Sequence, residues 1–164
     1  MWSNDFLMQQ LAQSLVNTAL ARKAVIGLAE SCTGGRVAAA ITSVSGASSV
    51  FAGGVVAYSN EIKESLLGVR RGTLDEFGAV SAETALEMAE GVRRVTGASH
   101  CVSITGIAGP TGATLSKPVG RVYIGLATPH ETRVERFQFT GTRQNIQTLA
   151  TESAMRILMS VLSK

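Results

Sequence analysis

The sequence is poor in residues that staple a fold, span a membrane or stack on bases. Only two of its 164 residues are cysteines, Cys32 and Cys101. That is too few for a disulfide framework, and a reducing cytoplasm is the simplest setting. Charged residues make up 16%, below the roughly 25% usual in soluble domains. Aromatics are 5%, and the 15 lysines and arginines are scattered, adjacent only at Arg22-Lys23, Arg70-Arg71 and Arg93-Arg94. A nucleic-acid groove asks for a basic stripe interleaved with stacking rings, so no nucleic-acid partner is expected. No apolar run approaches the roughly 18 residues of a membrane span. The first six residues lack the basic-then-apolar order of a signal peptide. Neither membrane association nor export is expected.

What is present suits a buried core. Hydrophobic residues are 45%, and 17 glycines stand against three prolines, which excludes a coiled coil, a collagen or a disordered tail. Leu7, Leu11 and Leu15, with Val16 and Ala19, predict an amphipathic helix over 5–22. Ala24 to Ala29 reads as a strand buried on both faces, and helical spacing resumes at Val37, Ala40, Ile41 and Val44. A second strand is expected from Phe51 to Tyr58, a short helix from Asn60 to Leu67, and a longer one capped by Ser81 and running to Val95. Cys101 to Thr105 is a third strand. Residues 121–128 and 132–139 form a hairpin, and a last helix starts near Arg143 with Ile146, Leu149, Ala150, Ser153, Ala154, Ile157, Leu158 and Val161 as its stripe. These elements fit one domain over 1–164, a three-layer α/β/α architecture with a mixed, mostly parallel sheet.

Open α/β sheets bind ligands beyond the carboxyl ends of their strands, and three loops fall there. In Glu30-Ser31-Cys32-Thr33-Gly34-Gly35, a serine sits between a buried strand and a helix. Free amides there can hold an oxyanion or a phosphate, and glycines at 34 and 35 admit a ligand close to the backbone. The alternative is that Ser31 or Thr33 simply caps the helix. In Tyr58-Ser59-Asn60-Glu61-Ile62-Lys63, a lysine in the first turn of a helix has a lowered pKa and can serve as a neutral base. Alternatively, Glu61 and Glu64 restore its charge and it is solvated. The third loop, Gly106 to Gly120, has the length of a binding loop, and Lys117 within it can meet an anion. Arg143 at the start of the last helix suits a phosphate, or forms a surface ion pair.

Other constellations are weaker. His100 and His130 have no third ligand at metal spacing, so no metal or cofactor is expected. Both cysteines read as small buried residues. Neither a Walker loop nor a dinucleotide-binding glycine loop occurs.

Five blocks appear in order: Ala29-Glu30-Ser31-Cys32-Thr33-Gly34-Gly35, Tyr58-Ser59-Asn60 with Lys63, Gly78-Ala79-Val80-Ser81, Gly106-Ile107-Ala108-Gly109-Pro110, and Lys117-Pro118-Val119-Gly120. Together they resemble the CinA C-terminal domain family, whose active members are nicotinamide-nucleotide amidases. The resemblance spans nearly the whole chain. It implies hydrolysis of nicotinamide mononucleotide to nicotinic acid mononucleotide and ammonia, in pyridine nucleotide recycling. It assigns the nucleophile to Ser31, the base to Lys63 and an assisting tyrosine to Tyr58. The first amides of the helix after Ser31 would stabilise the oxyanion. Thr33, Gly34, Gly35, Thr105, Gly106 and Arg143 fall on the substrate side, with Arg143, Thr105 and the 106 loop around the ribose phosphate. The expected partner is a small nucleotide substrate, and family analogy implies a homo-oligomer, at least a dimer.

Two positions depart from the family pattern. Ala113 follows Gly112 where a further glycine is common, and Thr142 replaces an acidic residue before Arg143. Many relatives also carry an N-terminal domain resembling molybdopterin-binding proteins. The chain has no room for it, so activity belonging to that domain is expected to be absent. The competing expectation is a catalytically silent nucleotide-binding or partner-binding module linked to competence and DNA damage.

Overall fold

The structure is a computed structural model that describes residues 2–164, with side chains from Asp5 onward. Its elements run α1 (Trp2–Arg22), β1 (Ile26–Glu30), α2 (Arg36–Thr42), β2 (Phe51–Val56), α3 (Asn60–Ser65), α4 (Arg71–Phe77), α5 (Ala82–Thr96), β3 (His100–Gly106), β4 (Arg121–Ala127), β5 (Thr132–Gln138) and α6 (Arg143–Leu162), with a single 3-10 turn at Ala47–Ser49. One five-stranded mixed sheet has the order β2-β1-β3-β4-β5. Pairing is parallel across β2-β1-β3 and antiparallel across β3-β4-β5. Helices α1, α2 and α6 cover one face, and α5, with α3 and α4 beside it, covers the other. This is the three-layer α/β/α arrangement expected from the alternation of elements. Among the described residues, no helix is long and apolar enough to cross a membrane.

The burial pattern explains the layers. All five residues of β1 are buried, as a strand sandwiched between two helical layers must be. The outer strand β2 alternates half-buried and exposed positions, because it closes the sheet's edge. In α1 the buried face is Ala12, Leu15, Val16 and Ala19, while Leu7 is exposed. Fourfold spacing drifts about 40° per step around a helix, so Leu7 has turned away from the stripe that Leu15 joins. The face of α6 is also rotated from expectation. Gln147, Thr151 and Met155 are buried with Ile146, Ala150 and Ala154, whereas Leu149 is exposed. Helix α4, seven residues long, gave no periodic signal.

Strand order makes a crevice. From β1, which lies between β2 and β3, the chain crosses by α2 to β2 on one side and later by α5 to β3 on the other. The carboxyl ends of β1 and β3 therefore lie side by side, with their connections leaving in opposite directions, the place where α/β sheets open toward ligands.

Close backbone approach fixes α5 in this layer. Gly91 faces the backbone of Leu67, and a Cβ added there would collide with the Leu67 carbonyl. Alanine inside a helix ordinarily improves on glycine by about 1 kcal/mol. At this position the sign should reverse: Gly91→Ala should destabilise by roughly 1–3 kcal/mol through overpacking. Urea unfolding measures this, and a variant as stable as its parent would contradict the approach.

Candidate active site

At the end of β1 the chain turns sharply. Ser31 N–H donates to Ile104 O at 2.9 Å and Gly34 N–H to Ser31 O at 3.0 Å, which joins the turn to β3 and closes it on itself. Glu30, though acidic, is buried at the end of an otherwise apolar strand. Its carboxylate accepts from the amides of Gly35 (3.0 Å), Val37 (3.2 Å) and Ala38 (2.8 Å). A buried acid needs such partners, and the first turn of α2 supplies them, since those amides have no acceptor within the helix. Glu30 thus caps α2, and neither Ser31 nor Thr33 does. Ser31 is left with its hydroxyl directed elsewhere.

Across the turn lies Lys63. Ser59 caps α3 by accepting from Ile62 N–H, and Lys63 follows on the inner face of that helix. Its side chain is 1% exposed. The amine donates to Ala57 O at 2.8 Å and reaches Ser31 Oγ at 3.2 Å and Tyr58 O at 3.5 Å. The solvated alternative is excluded by these contacts. Glu64 pairs with Arg71 instead, at 3.0 Å, and among the described residues no carboxylate forms an ion pair with Lys63. Burial pushes its pKa below the ordinary lysine value of 10.5, because a charged ammonium loses its hydration there. An amine so placed can take a proton from a neighbouring hydroxyl.

The cleft beside this pair has a volume of about 210 Å³ and is bounded by Ser31, Tyr58, Lys63, Thr105, Gly106 and Arg143, with Ala79, Val80, Cys32 and Ala108 completing its wall. Arg143 donates to Gly109 O at 2.8 Å and to the Tyr58 hydroxyl at 2.9 Å. The Tyr58 ring is 61% exposed, and its hydroxyl is engaged by Arg143, while only its carbonyl meets the Lys63 amine. Thr105 Oγ1 donates to Ala79 O at 2.6 Å, holding the segment before α5 over the cleft. The Cys32 thiol is pushed up to about 12, first by burial, and stays protonated at neutral pH, in keeping with a packing role.

Several expectations are corrected. Thr33, Gly34 and Gly35 do not line the cleft: the Thr33 side chain is fully buried, and the Gly35 amide belongs to Glu30. The amides of α2 therefore cannot serve as the oxyanion site, since Glu30 already occupies three of them. The amides of Cys32 and Thr33 have no acceptor among the described residues. Thr142, in place of an acid, forms a capping box with Asn145 and so starts α6 without one. Arg143 forms no ion pair among the described residues.

Two residues that the sequence pattern did not single out shape the turn. Glu30 is one, and an acid closing a wholly apolar strand was its available signal. Gln147 is the other: its side-chain amide donates to Cys32 O at 2.8 Å from one turn beyond Arg143. It was hidden because a glutamine in a stripe of aliphatic residues reads as a solvated position.

A three-layer α/β domain with a serine and a buried lysine at the switch point of its sheet defines the class. The CinA C-terminal domain model matches residues 8–162, and the chain belongs to that family. It is 47% identical over 159 residues to a CinA-like protein of Thermotoga maritima, covering 97% of the chain and 38% of that protein. It is 48% identical over 147 residues to a CinA-like protein of Kosmotoga olearia, covering 90% and 36%. The chain thus spans little more than a third of the length of these curated relatives. Among solved structures, the competence/damage inducible protein CihA from Agrobacterium tumefaciens superposes with a TM-score of 0.92 at 34% identity, covering 96% of both chains. A CinA superfamily protein from Klebsiella pneumoniae gives 0.92 at 32% identity, covering 95% of this chain and 98% of its own.

The Glu30 cap can be tested apart from any activity. Glu30→Gln keeps the shape but sets an NH2 group against helix amides, and should lower stability by roughly 1–3 kcal/mol. Chemical denaturation reads the change, and an unaltered midpoint would remove Glu30 from this role.

Proposed function

We propose that the protein is a nicotinamide-nucleotide amidase that hydrolyses nicotinamide mononucleotide to nicotinic acid mononucleotide and ammonia. The observation that carries this reading is the Lys63 amine, buried, without a carboxylate partner among the described residues, and 3.2 Å from Ser31 Oγ. A serine is a weak nucleophile until a neighbouring base takes its proton, and a desolvated lysine supplies that base. Family membership supports the same activity.

In the proposed reaction, Ser31 Oγ attacks the carboxamide carbon while its proton passes directly to Lys63. The Cys32 amide, on the cleft wall and without an acceptor among the described residues, is the donor offered to the developing oxyanion, and a preorganised donor of this kind contributes several kcal/mol in a site closed to water. The Lys63 ammonium returns its proton to the departing nitrogen and ammonia leaves, with the acyl group now an ester of Ser31. Water, deprotonated by Lys63, attacks that ester, and nicotinic acid mononucleotide is released as Ser31 regains its proton. Tyr58 acts through position: its carbonyl holds the amine, and its hydroxyl fixes Arg143. Thr105, Gly106 and Arg143 bound the substrate; a guanidinium has five N–H donors, so Arg143 retains donors beyond its two protein contacts. The protein works as a cytoplasmic homo-oligomer in this proposal.

Ammonia release from nicotinamide mononucleotide, without added metal, tests the reading. Ser31→Ala should lose at least about 10³-fold in kcat/KM, as loss of a covalent nucleophile does. A folded wild type that releases no ammonia would favour the catalytically silent module.

The buried lysine also sets a pH dependence. Only the neutral amine accepts a proton, so kcat/KM should rise with pH through the depressed Lys63 pKa and level off below 10.5. A pH–rate profile checks this; a limb at the ordinary lysine value would argue against Lys63 as the base.

A further inference from the structure

The turn that carries Ser31 is a run of peptide planes, each held from a different part of the molecule. In the plane between Glu30 and Ser31, the N–H donates to Ile104 O on β3 at 2.9 Å. The next plane, between Ser31 and Cys32, contains the Cys32 N–H. Its carbonyl accepts from Gly34 N–H at 3.0 Å, a tie internal to the turn. The third plane, between Cys32 and Thr33, is held at Cys32 O by the Gln147 side chain at 2.8 Å, and among the described residues nothing else donates to that oxygen. The Thr33 hydroxyl, buried in the same turn, has no hydrogen-bond partner there, so it gives no support. A residue has two soft backbone dihedrals, and fixing the planes on both sides of Cys32 fixes both of them. The direction of the Cys32 N–H is thereby set.

Gln147 is well placed to hold that plane. It is 7% exposed on a face of α6 otherwise formed by Ile146, Ala150 and Ala154. Packing alone has no use for an amide in such a stripe, and burying one costs free energy unless it is hydrogen-bonded. Its N–H in turn satisfies a buried carbonyl that would otherwise be orphaned. The start of α6 is fixed by the Thr142–Asn145 capping box and by the contacts of Arg143 with Gly109 O and the Tyr58 hydroxyl. Gln147 therefore reaches the turn from a helix already anchored about one turn earlier.

This tie is separate from the base. Lys63 meets Ala57 O, Tyr58 O and Ser31 Oγ, and Gln147 touches none of these atoms. Removing the glutamine amide leaves the amine and its partners in place.

We infer that Gln147 is a positioning residue of the reaction, which acts through the Cys32 carbonyl to aim the Cys32 amide at the developing oxyanion. The inference rests on the amidase reading for its substrate, but the geometry it concerns serves any tetrahedral adduct of Ser31.

The test uses Gln147→Met, which keeps the length and removes the donor, and Gln147→Asn, which draws the amide back by one methylene. With nicotinamide mononucleotide, both should lower kcat by roughly tenfold to a hundredfold, as slight misplacement of a reacting group does, with KM little changed. The pH limb of kcat/KM should stay where the wild type has it, because Lys63 is untouched. Pyridine-3-boronic acid supplies a second reading that needs no turnover. Ser31 Oγ forms a bond to boron, its proton passes to Lys63, and the adduct is a tetrahedral anion that presents oxygen to the Cys32 amide. Calorimetry, with Ser31→Ala as the control, should show the boronate weakened in both variants by about the factor lost from kcat. A wild type that binds the boronate through Ser31 but leaves nicotinamide mononucleotide intact would sink the amidase reading alone, and weaker boronate binding in the variants would still support Gln147. Folded variants with wild-type kcat and boronate affinity overturn the inference, even where their denaturation midpoints fall. So does a change confined to KM, and so does a wild type that takes no boronate on Ser31.

Discussion

The site is built around a lysine amine taken out of water. A charged ammonium in a dry interior is strongly disfavoured, and Lys63 meets this with three oxygens, those of Ala57, Tyr58 and Ser31, and no carboxylate among the described residues. Two of the three are backbone carbonyls just after β2, so the amine's position is set by where that strand ends. The third is the one hydroxyl in the set, and so the one partner that can exchange a proton with it. Moving the strand end, the Ser59 cap or the turn after β1 would disturb all three contacts together.

Fold and site are joined through the strand order. Because β1 lies between β2 and β3 and these neighbours are reached on opposite sides, Ser31 emerges beside Thr105. The Ser31 amide bonded to Ile104 O and the Cys32 carbonyl bonded to Gln147 hold the turn from two directions. One tie comes from the sheet and the other from α6, 115 residues away. The same α6 carries Arg143 one turn earlier, so a single helix supports the turn and lines the cleft.

Much of this was legible in the sequence, for identifiable reasons. The strands with continuous apolar runs and the helices with clean stripes follow their periodicities, and Ser81 caps α5 as its residue type suggests. Ser31 and Lys63 stood out because a serine and a lysine occupied strand ends, where α/β folds open. The identity of the α2 cap was not legible. Serine and threonine were available in the turn, yet Glu30 reaches forward from the strand to do it, and only the three-dimensional path of the turn shows that. Gln147 was illegible for a related reason: its partner is 115 residues distant, and no local pattern reports a contact of that range. The drift of Leu7 out of the α1 stripe shows the limit of counting by fours.

Two buried ionisable residues thus flank one turn and are accommodated in opposite ways. The carboxylate of Glu30 is surrounded by donors, and the amine of Lys63 by acceptors. The first arrangement has a consequence for ligand binding. A helix N-terminus beside a glycine-rich turn is the usual place for a phosphate in an α/β fold, but in α2 that position is taken by the protein's own acid. An incoming anion there would face Glu30 across about one turn of helix, and the two would repel. Helices α5 and α6, by contrast, leave first-turn amides without an acceptor among the described residues, at Ala82 and Glu83 in one and at Arg143 and Gln144 in the other. The second of these termini lies at the cleft that Ser31 and Lys63 share, so the donors the turn withholds at α2 are offered by a helix that also ties the turn down through Gln147.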